Sequence, residues 1–420
     1  MKVHGSLQVP GDKSISHRAL MLAALGDGTS RITGILESAD VASTAEVLRR
    51  LGAAIPPLAP DMTVEGVGLR GLRRPSDVLD CGNSGTTTRL VAGIVAALPI
   101  SARFVGDASL SRRPMRRVAK PLEAMGARVE LPPHGGLPMV VQGGSLRDTV
   151  WRSEVASAQV KSAILLAGVV GGVRVSLDEA AATRDHTERM LAARGVNIAT
   201  RGGRVELAPA HRCIAALDTE VPGDPSSASF FAALAALADG GSLTLNEVCV
   251  NETRTGFLET LRRMGARVEF ARDRMSGGER ISPVVVRPAA LRAVTVGTDI
   301  VPSMIDELPM LACVATRAEG ETIITGAAEL RVKESDRIAA VVANLRAIGA
   351  TAFELEDGMR VVGDRRPLRG AVRTHGDHRL AMAFGVLGVL PGNEIQIDDP
   401  DCVTVSYPAF WSDLTRVARA

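Results

Sequence analysis

The chain has little with which to build a disulfide scaffold or a metal cage. Its five cysteines, Cys81, Cys213, Cys249, Cys313 and Cys402, are odd in number, widely separated and free of any C-x-x-C pair. Neither a disulfide framework nor a zinc ribbon is indicated, and a reducing, cytoplasmic setting is expected. Aromatic residues are scarce at 3% of 420, too few for a platform on which unpaired bases stack. Excess charge of one sign is missing as well. The 49 Lys and Arg nearly cancel the 47 Asp and Glu, leaving +2, so no general field draws in nucleic acid and an anion site has to be built by clustering. Apolar runs such as residues 90–100 fall short of the ~18 to 20 residues of a membrane span. Residues 19–25 resemble a short signal core but follow Pro10-Gly11-Asp12 and continue as an ordinary helix, so targeting is discounted.

Nucleotide motifs fail too. No G-x-x-x-x-G-K-[ST] is present, and Gly66-x-Gly68-x-x-Gly71 leads into Arg73-Arg74-Pro75 rather than a helix, which predicts a hairpin turn. His375 and His378 form H-x-x-H without a neighbouring His or Cys to complete a metal set, so cap or hydrogen-bonding roles are expected.

What is present is a globular composition, 46% hydrophobic and 23% charged, on a chain too long for one ordinary core; two domains are expected. A pattern recurs along it: an amphipathic helix, a Gly-Ala or Gly-Val turn, then a short strand. The turn glycines are Gly52, Gly126, Gly195, Gly265 and Gly349, roughly 70 residues apart, with a sixth unit expected to end in a last helix over residues 407–419. Each glycine stands where a helix end needs a left-handed residue. A second, more apolar helix type is predicted at 19–25, 87–98, 162–170, 229–238, 305–315 and 379–387, buried beneath the first. Six such helices predict six units, three per domain, in an α/β fold with its sheets outside.

Polar clusters gather at the N-terminal ends of these apolar helices: GDKSISHR (11–18), GNSGTTTR (82–89), SAQVK (157–161), GDPSS (223–227) and GDHR (376–379). Free N–H groups and the helix dipole favour anions there. Asp224 and Asp377 read as plain N-caps. Lys13, Arg113, Arg337 and Arg379 read as functional, because a cation at a helix N-terminus opposes the dipole unless an anion is bound. In LRVKESDRI (330–338), Ser335 is expected to cap the next helix, with Lys333 and Glu334 in the loop before it and Arg337 in its first turn. Asp306-Glu307 interrupts an apolar run; acids there are costly unless paired or functional, so one is read as a core partner and one as a candidate base.

Eight stretches in one order, PGDKSISHRALMLAAL, CGNSGTTTRL, GDASLSRRPM, SAQVKSAILLAG, TRDHTERM, DELPMLACVA, RVKESDRI and GDHRLAMAF, closely resemble the 5-enolpyruvylshikimate-3-phosphate synthase family over essentially the whole chain. The resemblance implies a two-domain inside-out α/β barrel of six βαβαββ units, three per domain. It implies a discontinuous domain of residues 1–11 and 224–420, an inserted domain of 12–223, and a cleft that closes over its ligands. It implies transfer of the enolpyruvyl group of phosphoenolpyruvate to the 5-hydroxyl of shikimate 3-phosphate, with release of phosphate. Shikimate 3-phosphate contacts carried over are Lys13, Ser14, Arg18, Ser157, Gln159, Arg184, Asp306 and Lys333. The phosphoenolpyruvate set is Lys13, Gly85, Arg113, Gln159, Arg337 and Arg379. Asp306 and Glu334 are implied as the proton-handling groups, assisted by Lys13. No metal or organic cofactor, nucleic acid or membrane is implied, and a cytoplasmic monomer is expected.

Departures from one branch of the family are Ala158 in place of a second serine, Arg184, and Val405 in place of a lysine. Glycine at position 85, where glyphosate-tolerant members often carry alanine, implies sensitivity to that inhibitor. The related UDP-N-acetylglucosamine carboxyvinyltransferases are the nearest alternative. Their reactive loop cysteine is lacking in GDASLSRRPM, and Lys13-Ser14 stands in place of Lys-Asn. A non-catalytic anion-binding relative would be expected to lack Asp306 or Glu334; both are present.

Overall fold

The computed structural model describes residues 1–209 and 213–418. The chain divides into two compact units: a discontinuous one of Met1–Pro10, Pro222–Arg274 and Arg280–Ala420, and an inserted one of Gly11–Val221 with Met275–Glu279. That last segment had been expected with the discontinuous domain.

In the inserted unit the helices are α1 (Lys13–Leu25), α2 (Ala39–Arg50), α3 (Gly85–Ala96), α4 (Ala108–Arg112), α5 (Arg116–Met125), α6 (Ala158–Gly171) and α7 (His186–Ala192). The apolar helices α1, α3 and α6 are buried over nearly their whole length. A run rich in Ala, Leu and Val on every face has nowhere else to go. Helix α3 packs on both α1 and α6. Gly93 lets it approach α6, since a Cβ there would stand 2.2 Å from the Ala163 carbonyl oxygen.

Three sheets surround these helices among the described residues, and they share one plan. Leu79–Asp80 runs parallel to Ser101–Val105, with α3 as the crossover. Thr149–Arg152 runs parallel to Val175–Asp178, with α6 as the crossover. Each pair is extended by antiparallel neighbours. The third sheet sets Thr29–Thr33 between Asp61–Glu65 and Thr219–Glu220.

The discontinuous unit repeats the plan with α8 (Pro225–Leu237), α9 (Gly256–Met264), α10 (Leu308–Ala315), α11 (Arg337–Ala347), α12 (His378–Gly388) and α13 (Phe410–Ala418). Helices α8, α10 and α12 pack on one another, and all of α8 except Leu237 is buried. Phe230 and Phe231 of α8 meet Tyr407 and Phe410, and Phe410 in turn meets Trp411, with ring centroids 5.0 to 5.8 Å apart. Five of the chain's eleven large rings are thus spent on one core, where each buried Phe contributes about 1.5 to 3 kcal/mol.

The five turn glycines all have positive φ, between 81° and 116°, and each donates its N–H to a carbonyl of the last helical turn. Five of the six apolar helices begin earlier than their hydrophobic pattern suggests, whereas α10 begins at Leu308 rather than 305. Asp12, Ser84, Ser157, Asp224 and Asp377 accept backbone N–H bonds as N-caps, so the polar clusters are the first turns themselves. The Gly66 to Gly71 segment is not a hairpin: Gly66, Val67 and Gly68 bond back to Gly28, Ala24 and Gly26 at the end of α1. The last helix starts at Phe410 rather than 407, and the expected end at Arg419 lies outside the described residues.

Candidate active site

In the discontinuous unit one guanidinium organises the chemistry. Arg337, the first residue of α11, is 1% exposed. Its Nε donates to Asp377 Oδ2 at 2.7 Å and its Nη2 to Asp377 Oδ1 at 3.2 Å. Nη1 reaches Asp306 Oδ1 at 3.2 Å, and Nη2 also reaches Glu334 Oε2 at 2.6 Å. Burial would weaken the charge on Arg337, but the carboxylates of Asp377, Glu334 and Asp306 outweigh it and raise its pKa. Asp306 further receives Lys333 Nζ at 3.4 Å, and Arg379 Nη1 donates to its backbone carbonyl at 3.4 Å. Asp306, Lys333, Glu334, Arg337 and Arg379 therefore form one cluster, fed by the N-terminal ends of α10, α11 and α12.

Three expectations change here. The cap of α11 is Asp336, whose Oδ1 accepts from Ala339 N at 3.1 Å, while Ser335 donates to Asp377 Oδ2 at 3.0 Å. Asp377 is an N-cap, taking Arg379 N at 3.0 Å, and beyond that the bidentate partner of Arg337. Asp224 likewise caps α8 and pairs with buried Arg254 at 3.0 Å. Of the acidic pair, Asp306 joins the cluster, whereas buried Glu307 accepts from the Ser226 hydroxyl.

The inserted unit holds the other candidates at the N-terminal ends of α1, α3 and α6. Lys13, first in α1, pairs with Asp40 of α2 at 3.1 Å. Arg18, one turn on, is 3% exposed and donates to Ser14 O at 2.8 Å, Thr187 Oγ1 at 2.7 Å and Ser162 Oγ at 2.7 Å. Burial lowers its pKa to about 10, against the opposing charge of Glu188. Gln159, in the first turn of α6 after its cap Ser157, donates to Thr86 Oγ1 at 2.9 Å and accepts from Arg89 Nη1. Gly85, first in α3, lies beneath Arg89 and Arg113: a Cβ there would meet Arg89 Nη1 at 2.7 Å and Arg113 Nη1 at 3.6 Å. Arg113 donates to Asn83 Oδ1; it follows the C-terminal end of α4, so the dipole argument made for it from sequence does not apply. Arg184 is half-buried in the loop before α7, next to Thr183, whose carbonyl accepts from buried Lys161 at 3.3 Å.

Sequence reading missed Asn83, Thr86, Arg89 and Asp40. The run Asn83 to Arg89 carries the signal, since consecutive small hydroxyl residues at a helix start offer polar groups on every face. Their partners are set by α2 and α6 and have no local pattern.

The fold is that of a solved enolpyruvyl transferase, NikO from Streptomyces tendae, with a TM-score of 0.78 at 18% identity over 99% of this chain and 95% of that one. The family model for EPSP synthase (3-phosphoshikimate 1-carboxyvinyltransferase) matches residues 1–414. The 3-phosphoshikimate 1-carboxyvinyltransferase of Halorhodospira halophila is 49% identical, covering 99% of this chain and 94% of that protein. The one from Alkaliphilus metalliredigens is 45% identical, covering 100% and 98%. The solved EPSP synthase of Acinetobacter baumannii superposes with a TM-score of 0.86 at 39% identity, over 99% of this chain and 96% of that one. This chain belongs to the EPSP synthase family.

Proposed function

We propose that the chain moves the enolpyruvyl group of phosphoenolpyruvate onto the 5-hydroxyl of shikimate 3-phosphate and releases phosphate. The observation that carries the reading is the assembly of Asp306 and Glu334 on one guanidinium, that of buried Arg337. Addition followed by elimination needs one group to take the hydroxyl proton and another to deliver a proton to the methylene carbon and later remove one. When the hydroxyl oxygen bonds to the central carbon, the methylene becomes a methyl. Loss of a methyl proton with cleavage of the carbon–oxygen bond to phosphate then restores the double bond. Asp306 and Glu334 are assigned these proton transfers, and Lys13 offsets the negative charge that gathers on the intermediate.

Both substrates carry a phosphate and a carboxylate, so the cations at the helix ends of both units are assigned to one reaction. Lys13, Ser14, Arg18, Ser157, Gln159, Arg184, Asp306 and Lys333 take shikimate 3-phosphate. Lys13, Gly85, Arg113, Gln159, Arg337 and Arg379 take phosphoenolpyruvate. The same reading makes the chain a cytoplasmic monomer of six βαβαββ units around central helices; three sheets and three apolar helices in each unit support it. No helix among the described residues is long and apolar enough to cross a membrane.

The test is phosphate release from phosphoenolpyruvate with shikimate 3-phosphate or UDP-N-acetylglucosamine as acceptor. Turnover with the first alone is expected. Turnover with the second alone, or with neither, overturns the reading.

A further inference from the structure

Helix α1 carries a buried imidazole beside the buried guanidinium of Arg18, among inward residues that are otherwise aliphatic or small. His17 is fully buried, and its Nδ1 lies 2.6 Å from Thr44 Oγ1 of α2. Thr44 Oγ1 lies 2.6 Å from Thr87 Oγ1 of α3, and Thr87 Oγ1 donates to Ser84 Oγ at 2.7 Å. Ser84 is the N-cap of α3 and also accepts from Thr87 N at 3.1 Å. All four side chains are buried. Four polar groups from three helices thus form one unbroken chain within the inserted unit.

Counting protons gives the chain a direction. A hydroxyl has one proton to give. Thr87 gives its proton to Ser84, so Thr44 must give its own to Thr87, and the group facing Thr44 must itself be a donor. The ring therefore carries its proton on Nδ1 and leaves Nε2 a bare lone pair. The surroundings agree: His17 Nε2 is buried with no partner among the described residues, which an N–H would tolerate poorly. Burial, aided by the charges of Lys13 and Arg18 and opposed by Asp40, lowers the ring's pKa to about 3, so it is neutral at any physiological pH.

At the far end, Ser84 Oγ accepts two hydrogen bonds and keeps its own proton. That hydroxyl is 1% exposed, and no acceptor for its proton occurs among the described residues. It sits beside the first N–H groups of α3, next to Gly85, whose own Cβ position lies 3.6 Å from Arg113 Nη1. A buried hydroxyl proton without an acceptor is rare in proteins unless a ligand supplies one.

We propose that His17 is a positioning residue for phosphoenolpyruvate: by donating from Nδ1 it polarises the Thr44, Thr87 and Ser84 hydroxyls in one sense, so that Ser84 presents its proton to the anion at the start of α3. His17 touches no reacting atom. Its contribution is to forbid the opposite hydroxyl orientation, in which Ser84 would spend its proton on Thr87 and turn a lone pair toward the anion. The inference rests on the assignment of Gly85 and Arg113 to phosphoenolpyruvate.

The test compares two pairs of variants. His17→Phe keeps a flat ring without a donor, whereas His17→Asn puts an amide N–H close to the place of Nδ1. Thr44→Val breaks the chain with an isosteric side chain, and Thr44→Ser preserves it, which keeps the question decidable if the Phe variant does not fold. Calorimetry of phosphoenolpyruvate and of shikimate 3-phosphate is run beside steady-state kinetics and thermal unfolding. His17→Phe and Thr44→Val should weaken phosphoenolpyruvate about tenfold, as for loss of one hydrogen bond to a charged group, with shikimate 3-phosphate unchanged. His17→Asn and Thr44→Ser should restore it to within about twofold. Equal losses across each pair, or equal weakening of both substrates, overturn the inference. Failure of the parent chain to turn over the two substrates, while phosphoenolpyruvate binding still splits the variants, would sink the proposed reaction and leave the role of His17 standing. A parent that does not bind phosphoenolpyruvate removes both.

Discussion

Arg337 and Asp377 share a bidentate contact in a dry site: Nε to Oδ2 is 2.7 Å, Nη2 to Oδ1 is 3.2 Å, and the two side chains are 1% and 0% exposed. Burial pushes the Asp377 carboxyl up, but the Arg337 charge prevails and holds it below its usual value. The contact thus fixes a cation against the carboxylates of Asp306 and Glu334 while tying α11 to α12.

Asp377→Asn keeps the shape and one acceptor but removes the charge. Breaking a buried pair costs about 3 to 5 kcal/mol, and the lower end is expected because Asp306 and Glu334 still face Arg337. Urea unfolding at pH 7 measures it. The deficit should shrink on acidification. A depressed carboxyl contributes stability that is complete above its unfolded pKa, about 3.9, and that is lost as pH falls through the folded value. A deficit unchanged down to pH 3 would contradict this account.

Glu334→Gln should hold both substrates within about threefold of the parent yet lose 10²-fold to 10⁴-fold in turnover, the range for removing a general acid or base. The amide oxygen still accepts from Arg337, so the cluster persists. Exchange of solvent hydrogen into the methylene group of phosphoenolpyruvate then separates the two acids. Loss of exchange in Glu334→Gln but not in Asp306→Asn assigns the carbon proton to Glu334, and the reverse pattern assigns it to Asp306.

Local rules reached the turn glycines, because a helix end with positive φ admits little else, and the apolar helices, because their composition leaves no solvent face. They placed five of the six starts late and that of α10 early. In GDKSISHR the first turn of α1 is written in polar residues, and hydrophobic periodicity ignores polar residues that a buried helix end satisfies through neighbours. Ser335 and Asp336 are both competent caps, and sequence does not say which is free: Asp377, some forty positions on, takes Ser335 and leaves the cap to Asp336. Asp377 read as an ordinary cap for the same reason, its bidentate partner being remote in the chain. The cluster around Arg337 was legible as a set of charges, and its geometry was not.

A second pH response of opposite sign is expected in the inserted unit. Lys161 of α6 is buried between Glu188 at 2.8 Å and Glu179 at 3.0 Å. Burial raises the Glu188 pKa, with Lys161 only partly opposing it. An acid whose folded pKa is raised favours the folded state when protonated, so it costs stability as pH climbs above its unfolded value of about 4.3. Glu188→Gln lacks that dependence and leaves Lys161 paired with Glu179. Its stability relative to the parent should therefore improve between pH 4.5 and pH 7, read from urea midpoints. A relative stability of the variant that stays flat or falls over that interval would refute the assignment.

Gly85→Ala addresses inhibitor discrimination. The backbone at 85 is helical and accepts alanine without strain, so the effect comes from the methyl group alone. That methyl would stand 2.7 Å from Arg89 Nη1 and 3.6 Å from Arg113 Nη1. Arg89 is the flexible end of a side chain and can retreat, but doing so disturbs its bond to Gln159, which in turn holds Thr86. The substitution therefore shortens the space assigned to phosphoenolpyruvate and loosens one wall of it together. Glyphosate, slightly longer than phosphoenolpyruvate, should suffer more from the first effect, while both ligands share the second. One methyl-sized group discriminates by about 1 to 3 kcal/mol, so the inhibition constant should rise roughly tenfold to two-hundredfold relative to the Michaelis constant for phosphoenolpyruvate. Arg89→Lys separates the two effects, because it loosens the Gln159 contact without adding the methyl. It should raise the Michaelis constant and leave the ratio unchanged. Equal weakening of substrate and inhibitor in Gly85→Ala would show that the arginine wall, and not pocket length, governs what binds at the start of α3.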